Sequence, residues 1–135
     1  MSQGSRVLVL GLDGASWDLI DRFVGEGRLP NIASLIESGF RAPLNSTMPP
    51  MTLPSWSSML TGTNPGKHGI FDFVHRRAPG WVLEYGNSTH RRVPTLHRLL
   101  SEGGARVASL CVPTTWPPEP LNGVVIAGFD SPVST

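Results

Sequence analysis

The sequence predicts an α/β fold with a mostly parallel sheet flanked by helices, and three observations predict it. Apolar runs of strand length alternate with amphipathic stretches of helical period. The first run, RVLVLGL at residues 6–12, is apolar without alternation, as in a strand covered on both faces. Two later units, LPNIASLIESGFRA and VPTLHRLLSEGGARVASLCV, each open on proline, carry an apolar stripe and reach glycine before the next run.

Taken in order, strand 6–12 ends at Asp13-Gly14. A helix follows, with Trp17, Ile20 and Val24 at helical spacing and Gly25 as a plausible stop. Pro30 suits the first turn of the next helix, whose stripe is Ile32, Leu35 and Ile36 before Gly39. The segment TMPPMTLPSWSSMLTGTNPGKHGIFDF predicts a short helix from Pro54 through Trp56, Met59 and Leu60 to Gly62, with Pro65 turning the chain back. Pro94 opens the next helix, Leu96, Leu99 and Leu100 form its stripe, and Gly103-Gly104 lead into strand 106–112. The proline-rich loop PTTWPPEP precedes a last strand at 123–129.

A chain of 135 residues, 39% apolar, is long enough for one domain with one core. Its net charge of +1 lacks the basic excess of a dedicated nucleic-acid binder, so no nucleic-acid polymer is expected as partner. No run approaches the ~18–20 apolar residues of a membrane span, and the N-terminus does not read as a secretory signal. A single cysteine, Cys111, excludes an internal disulfide and fits a reducing compartment, so a cytoplasmic location is expected. Its apolar setting, ASLCV, predicts a buried thiol. The clusters His75-Arg76-Arg77 and His90-Arg91-Arg92 read as two solvated loops, with phosphate contact as the alternative. His97, beside the leucine stripe, reads as a surface or partly buried residue rather than a ligand.

Two positions carry the chemistry. In open parallel sheets ligands bind beyond the carboxyl ends of the strands. Asp13 falls there after the first strand, where a carboxylate can hold a divalent cation or simply form a turn. Thr52 falls at or just before the N-terminus of the helix that Pro54 begins. Free backbone N–H groups there favour an anion. Its hydroxyl can be a helix cap, or a nucleophile whose adduct those donors stabilise. Spacing alone leaves both readings open.

The stretch TLPSWSSMLTGTNPGKHGI resembles the nucleophile segment of the type I phosphodiesterase/nucleotide pyrophosphatase family, within the alkaline phosphatase superfamily. That segment reads T-[FL]-P-x-x-x-S-x-x-T-G-x-x-P-x-x-H-G-I. Thr52, Pro54, Ser58, Thr61-Gly62, Pro65, His68-Gly69 and Ile70 match it without a gap, and Asp13-Gly14 after the first strand is similar to its first metal-ligand motif. The resemblance implies an alkaline-phosphatase-like fold, two divalent metals that are commonly zinc, and a small-molecule phosphoester substrate. It implies Asp13 as a ligand of one metal, and Thr52 as nucleophile and ligand of that same metal. A second metal would activate the water that hydrolyses a phosphothreonine intermediate. His68 matches a family position and reads as structural. In well-studied relatives an Asn lies three residues after the Ile. Phe73 stands there in this chain, which leaves nucleotide specificity open.

The family's remaining ligands, an Asp with a His four residues on, an adjacent Asp-His pair and a final His, have no counterpart among the five aspartates and four histidines. Zinc sites use at least three protein ligands. Residues 1–135 are therefore expected to form the N-terminal part of one catalytic domain, incomplete and with little or no hydrolase activity alone. Its incomplete sheet would expose apolar edge surface and invite association. Two other readings stay in view. A superfamily phospho- or sulfo-transferase or a sulfatase is one, although TLPSW lacks the arginine of the sulfatase C/S-x-P-x-R context. A non-catalytic binding module that has lost the metal site is the other.

Overall fold

The structure is a computed structural model that describes residues 6–77 and 79–132. The chain divides into two compact units, Met1–Asn45 and Ser46–Thr135.

The first unit is a pair of helices, α1 (Trp17–Gly25) and α2 (Pro30–Ser38). Asp18 sits in the first turn of α1 and Arg22 in its last, each at the helix end whose partial charge it complements. Pro30 occupies the first turn of α2 as the sequence predicts. The chain beyond α2 is tied back to α1. Arg41 makes a bidentate pair with Asp21 at 2.7 Å through each nitrogen, and its guanidinium lies 4.0 Å from the Trp17 ring centroid. Trp17 Nε1 donates to the Ala42 carbonyl at 3.3 Å.

The expected strand at residues 6–12 does not form. The segment carries no ladder among the described residues, and Val7 and Leu8 are 84% and 90% exposed. A strand's polar backbone needs a neighbouring strand to pair with, and the described residues of the first unit contain none. An apolar run specifies a preference for burial but supplies no partner.

The second unit holds α3 (Thr52–Thr61), α4 (Pro65–His68), β1 (Val74–Arg77), β2 (Val82–Tyr85), a 3₁₀ turn at Ser88–His90, α5 (Leu96–Glu102), β3 (Val107–Val112) and β4 (Gly123–Ala127). Helix α3 buries Leu53, Pro54, Ser57 and Leu60, residues that recur at helical spacing and so share one face. It ends at Gly62, whose φ of +64° is the left-handed cap that a glycine adopts without strain. Pro65 begins another helical turn rather than a plain reversal. Asn64 caps it, accepting from the Lys67 N–H at 3.2 Å. Thr95 caps α5 through its hydroxyl, 3.0 Å from the Arg98 N–H, so Pro94 precedes the cap and does not open the helix.

The α/β class holds, but the sheet is not the mostly parallel one expected. Strands β1 and β2 form an antiparallel hairpin, and β3 and β4 a separate parallel pair. The hairpin falls where the sequence reads as solvated loop. Two charged residues in VHRR concealed its period of two, and the following turn includes Pro79-Gly80. In the parallel pair Leu110 faces Ile126 and Val112 faces Ala127, which leaves Cys111 unpaired in a bulge. Cys111 there has a φ of +55° and is exposed, so the expected buried thiol is corrected. The bulge turns one residue out of register and its side chain with it. Past β4, a Cβ on Gly128 would lie 2.8 Å from the Val112 carbonyl carbon, so this close approach needs glycine.

The buried apolar core is small: Leu53, Leu60 and Ile70, with Pro54. Around it lie the buried polar residues Ser57, His68, Thr95, Ser109, Thr114 and Thr115. Burying such groups is tolerable where hydrogen bonds replace water, as they do for these residues except Ser109, whose Oγ has no partner among the described residues. No helix among the described residues is long and apolar enough to cross a membrane.

Candidate functional site

Thr52 is the first residue of α3, half-buried, and its hydroxyl makes no hydrogen bond among the described residues. The N-cap is Met51, whose side chain gives no cap bond. The helix therefore begins without a capping hydroxyl, and the capping reading of Thr52 fails. Its own N–H and that of Leu53 have no acceptor within the helix, and Pro54 has no N–H to offer. The first helical bond closes from the Ser55 N–H to the Met51 carbonyl at 3.0 Å. Among the described residues, two donors without acceptors thus lie in the same first turn as an unengaged hydroxyl at the positive end of the helix, an arrangement suited to an anion.

The approach to Thr52 is held by hydroxyls. Thr47 Oγ1 donates to the Pro49 carbonyl at 2.9 Å and lies 3.1 Å from Ser55 Oγ, while Ser46 Oγ lies 3.2 Å from the same atom. The prolines that make this segment conspicuous in sequence limit its backbone, and these contacts fix it to the first turn of α3.

Behind the helix, His68 is fully buried. Its Nδ1 accepts from the Ile70 N–H at 3.1 Å, so the neutral ring carries its proton on Nε2 and donates to Ser58 Oγ at 2.9 Å. His68 therefore joins α3 to the turn after α4. Burial pushes its pKa below the ordinary value, and the Arg91 charge adds to that shift. His68→Ala is expected to lower stability by roughly 2–3 kcal/mol at pH 7.5, because it opens a cavity and orphans the Ile70 N–H. A depressed histidine pKa stabilises the fold fully above the unfolded value near 6.5, and that contribution is lost as pH falls. The difference between the two proteins should therefore shrink as pH falls below about 6.5. Urea unfolding at several pH values measures it.

Arg91 corrects a second expectation. The His90-Arg91-Arg92 cluster is not a solvated loop throughout: the Arg91 side chain is 2% exposed. Its Nη2 donates to the Thr114 carbonyl at 2.9 Å and stands 3.6 Å from Glu119 Oε1. The same Glu119 accepts from the Thr95 hydroxyl at 2.9 Å. His97 is half-buried, and burial likewise lowers its pKa.

Asp13 is exposed, in the turn after residues 6–12, and its neighbour Gly14 has a φ of +68°. It belongs to the first unit and Thr52 to the second. Phe73 is half-buried, and its N–H donates to the Asp72 carboxylate at 2.6 Å. The position offers no side-chain amide. One group absent from the sequence expectations is His75, Glu84 and His90, whose potential ligand atoms lie within 4.8 Å of one another.

No curated protein and no solved structure matches the chain. The sequence model of the type I phosphodiesterase / nucleotide pyrophosphatase family matches residues 7–125, a span that holds Asp13, the whole of α3 and His68. The match covers well over half of the chain, and residues 7–125 place it in the type I phosphodiesterase / nucleotide pyrophosphatase family.

Proposed function

We propose that this chain carries the nucleophile of a metal-dependent phosphoester hydrolase, with Thr52 as the attacking residue and Asp13 as a metal ligand. The observation that supports it is the state of Thr52: a hydroxyl free of any capping bond, next to the unpaired N–H groups of Thr52 and Leu53. In the proposed step Oγ1 attacks phosphorus, its proton passes to solvent, and the bond to the departing oxygen breaks. That oxygen leaves as an alkoxide and takes a proton from solvent to become the alcohol product. The resulting phosphothreonine is then cleaved by water, which restores the hydroxyl. The helix N–H groups are oriented before the reaction, so they stabilise charge on the phosphoryl oxygens without reorganising.

Two divalent ions, zinc by family resemblance, would supply charge neutralisation and an activated water in the complete domain. The donors present do not make that centre. One carboxylate and one hydroxyl fall short of the three protein ligands a zinc site uses. The proposed substrate is a small phosphoester, and the lone cysteine supports a cytoplasmic setting.

The residues by themselves are proposed to turn over little or no substrate. Joined to a downstream segment carrying the Asp-x-x-x-His, Asp-His and final His ligands, the chain should hydrolyse a chromogenic phosphodiester with added zinc. Acid quench during turnover, followed by peptide mass mapping, should find one phosphoryl group on the Thr52 peptide. A phosphoryl group on another residue, or metal-dependent turnover by residues 1–135 alone, would contradict this reading.

A further inference from the structure

The hairpin and the turn after it bring together three residues widely spaced in sequence. In the β1–β2 register His75 stands directly opposite Glu84, and the 3₁₀ turn ends on His90. Both imidazole Nε2 atoms lie near one oxygen: Glu84 Oε2 is 3.6 Å from His75 Nε2 and 3.8 Å from His90 Nε2. These separations are too long for hydrogen bonds. They are close to the ~3.3–3.5 Å between neighbouring ligand atoms of a tetrahedral zinc ion bound at about 2.0–2.2 Å. The other carboxylate oxygen is engaged, because Arg77 Nη1 holds Glu84 Oε1 at 2.7 Å. That contact leaves Oε2 free and aims it, as an outer partner does for a metal-bound carboxylate.

We propose that His75, Glu84 and His90 form a mononuclear site for a borderline divalent cation, zinc by preference, using none of the residues assigned to phosphoester hydrolysis. Two imidazole nitrogens select against magnesium and calcium, which take oxygen donors. Three protein ligands leave one position for water, the composition of an open zinc site rather than a closed structural one. The three side chains are 25–35% exposed, which gives an ion a way in. The site would pin the hairpin to the turn at Ser88–His90.

One change must accompany binding. His90 Nδ1 accepts from the Asn87 N–H at 3.1 Å, so the neutral ring carries its proton on Nε2. Ligation by Nε2 moves that proton to Nδ1, with no net release, and the Asn87 N–H loses its acceptor. The Asn87 amide is therefore a reporter inside the site.

The test uses the 135-residue chain stripped with chelator, titrated with zinc by calorimetry and with cobalt by visible absorption. One ion per chain is expected, with intense cobalt bands of low coordination and no competition from millimolar magnesium. His75→Ala and Glu84→Gln should each weaken binding by more than the roughly 10–100-fold that loss of an orienting group causes. Asp13→Ala and Thr52→Ala should bind as the parent does, which separates this site from the proposed catalytic one. In the unsubstituted chain, zinc should shift the His75 and His90 ring resonances and the Asn87 amide, a readout that needs no variant to fold. Absence of saturable binding, or zinc shifts that bypass these three residues, would overturn the proposal, as would full affinity in both His75→Ala and Glu84→Gln.

Discussion

Thr52→Ala is expected to lower metal-dependent phosphodiester turnover by about 10³-fold or more in the polypeptide completed with the downstream ligands, because loss of a nucleophile removes the covalent route. Thr52→Ser should retain a measurable fraction, since the oxygen remains and only the methyl group is gone. The same substitution should leave folding nearly untouched. Met51 occupies the N-cap and the Thr52 hydroxyl makes no hydrogen bond, so the ~0.5–2 kcal/mol lost with a true capping threonine is not at stake. Thermal unfolding of Thr52→Ala within residues 1–135 should stay within about 0.5 kcal/mol of the parent. A destabilisation of a full kcal/mol or more would restore the capping role, and turnover in Thr52→Ala close to that of Thr52→Ser would remove the nucleophile. The two measurements separate the readings that sequence spacing leaves open.

Helices were the legible part of this chain because their signals are local. Pro30 at a first turn, the apolar stripes and Gly62 in a left-handed cap each act within a few residues. The strands are less legible because they depend on partners. Residues 6–12 are apolar enough for a covered strand, yet no described neighbour in their unit pairs with them. Cys111 lies in an apolar run and still faces solvent, because a one-residue slip between Leu110 and Val112 is set by the pairing with β4. The site divides the same way. A contiguous motif singles out Thr52 for the proposed role, whereas His75, Glu84 and His90 converge only through the hairpin register. A cross-strand pair nine residues apart is invisible until both strands are recognised, and Pro79-Gly80 between VHRR and VLEY was the available signal.

Arg91→Ala should be the most damaging single change to the second unit, costing about 3–5 kcal/mol. The guanidinium is buried, and burial lowers its pKa, opposed by the nearby Glu119 and Asp130 carboxylates. The residue it holds is in a costly conformation: Thr114 is β-branched with a φ of +62°, a left-handed backbone of order 1–3 kcal/mol above the relaxed state. Three elements hold it there. Arg91 donates to its carbonyl at 2.9 Å, Asp130 accepts from its N–H at 3.2 Å, and Ser57 of α3 donates to its hydroxyl at 3.2 Å. Removing the arginine orphans a buried carbonyl, leaves a cavity and strips Glu119 of its closest charge partner, while the backbone strain remains. Arg91→Lys should recover only part of the loss, because a single ammonium cannot reproduce the planar fork in which Nη2 donates to the Thr114 carbonyl while Nη1 donates to the Thr114 hydroxyl at 3.4 Å. Chemical denaturation of both variants measures the difference. The prediction fails if Arg91→Ala unfolds within about 1 kcal/mol of the parent, since Thr114 would then be held in its left-handed conformation without the arginine.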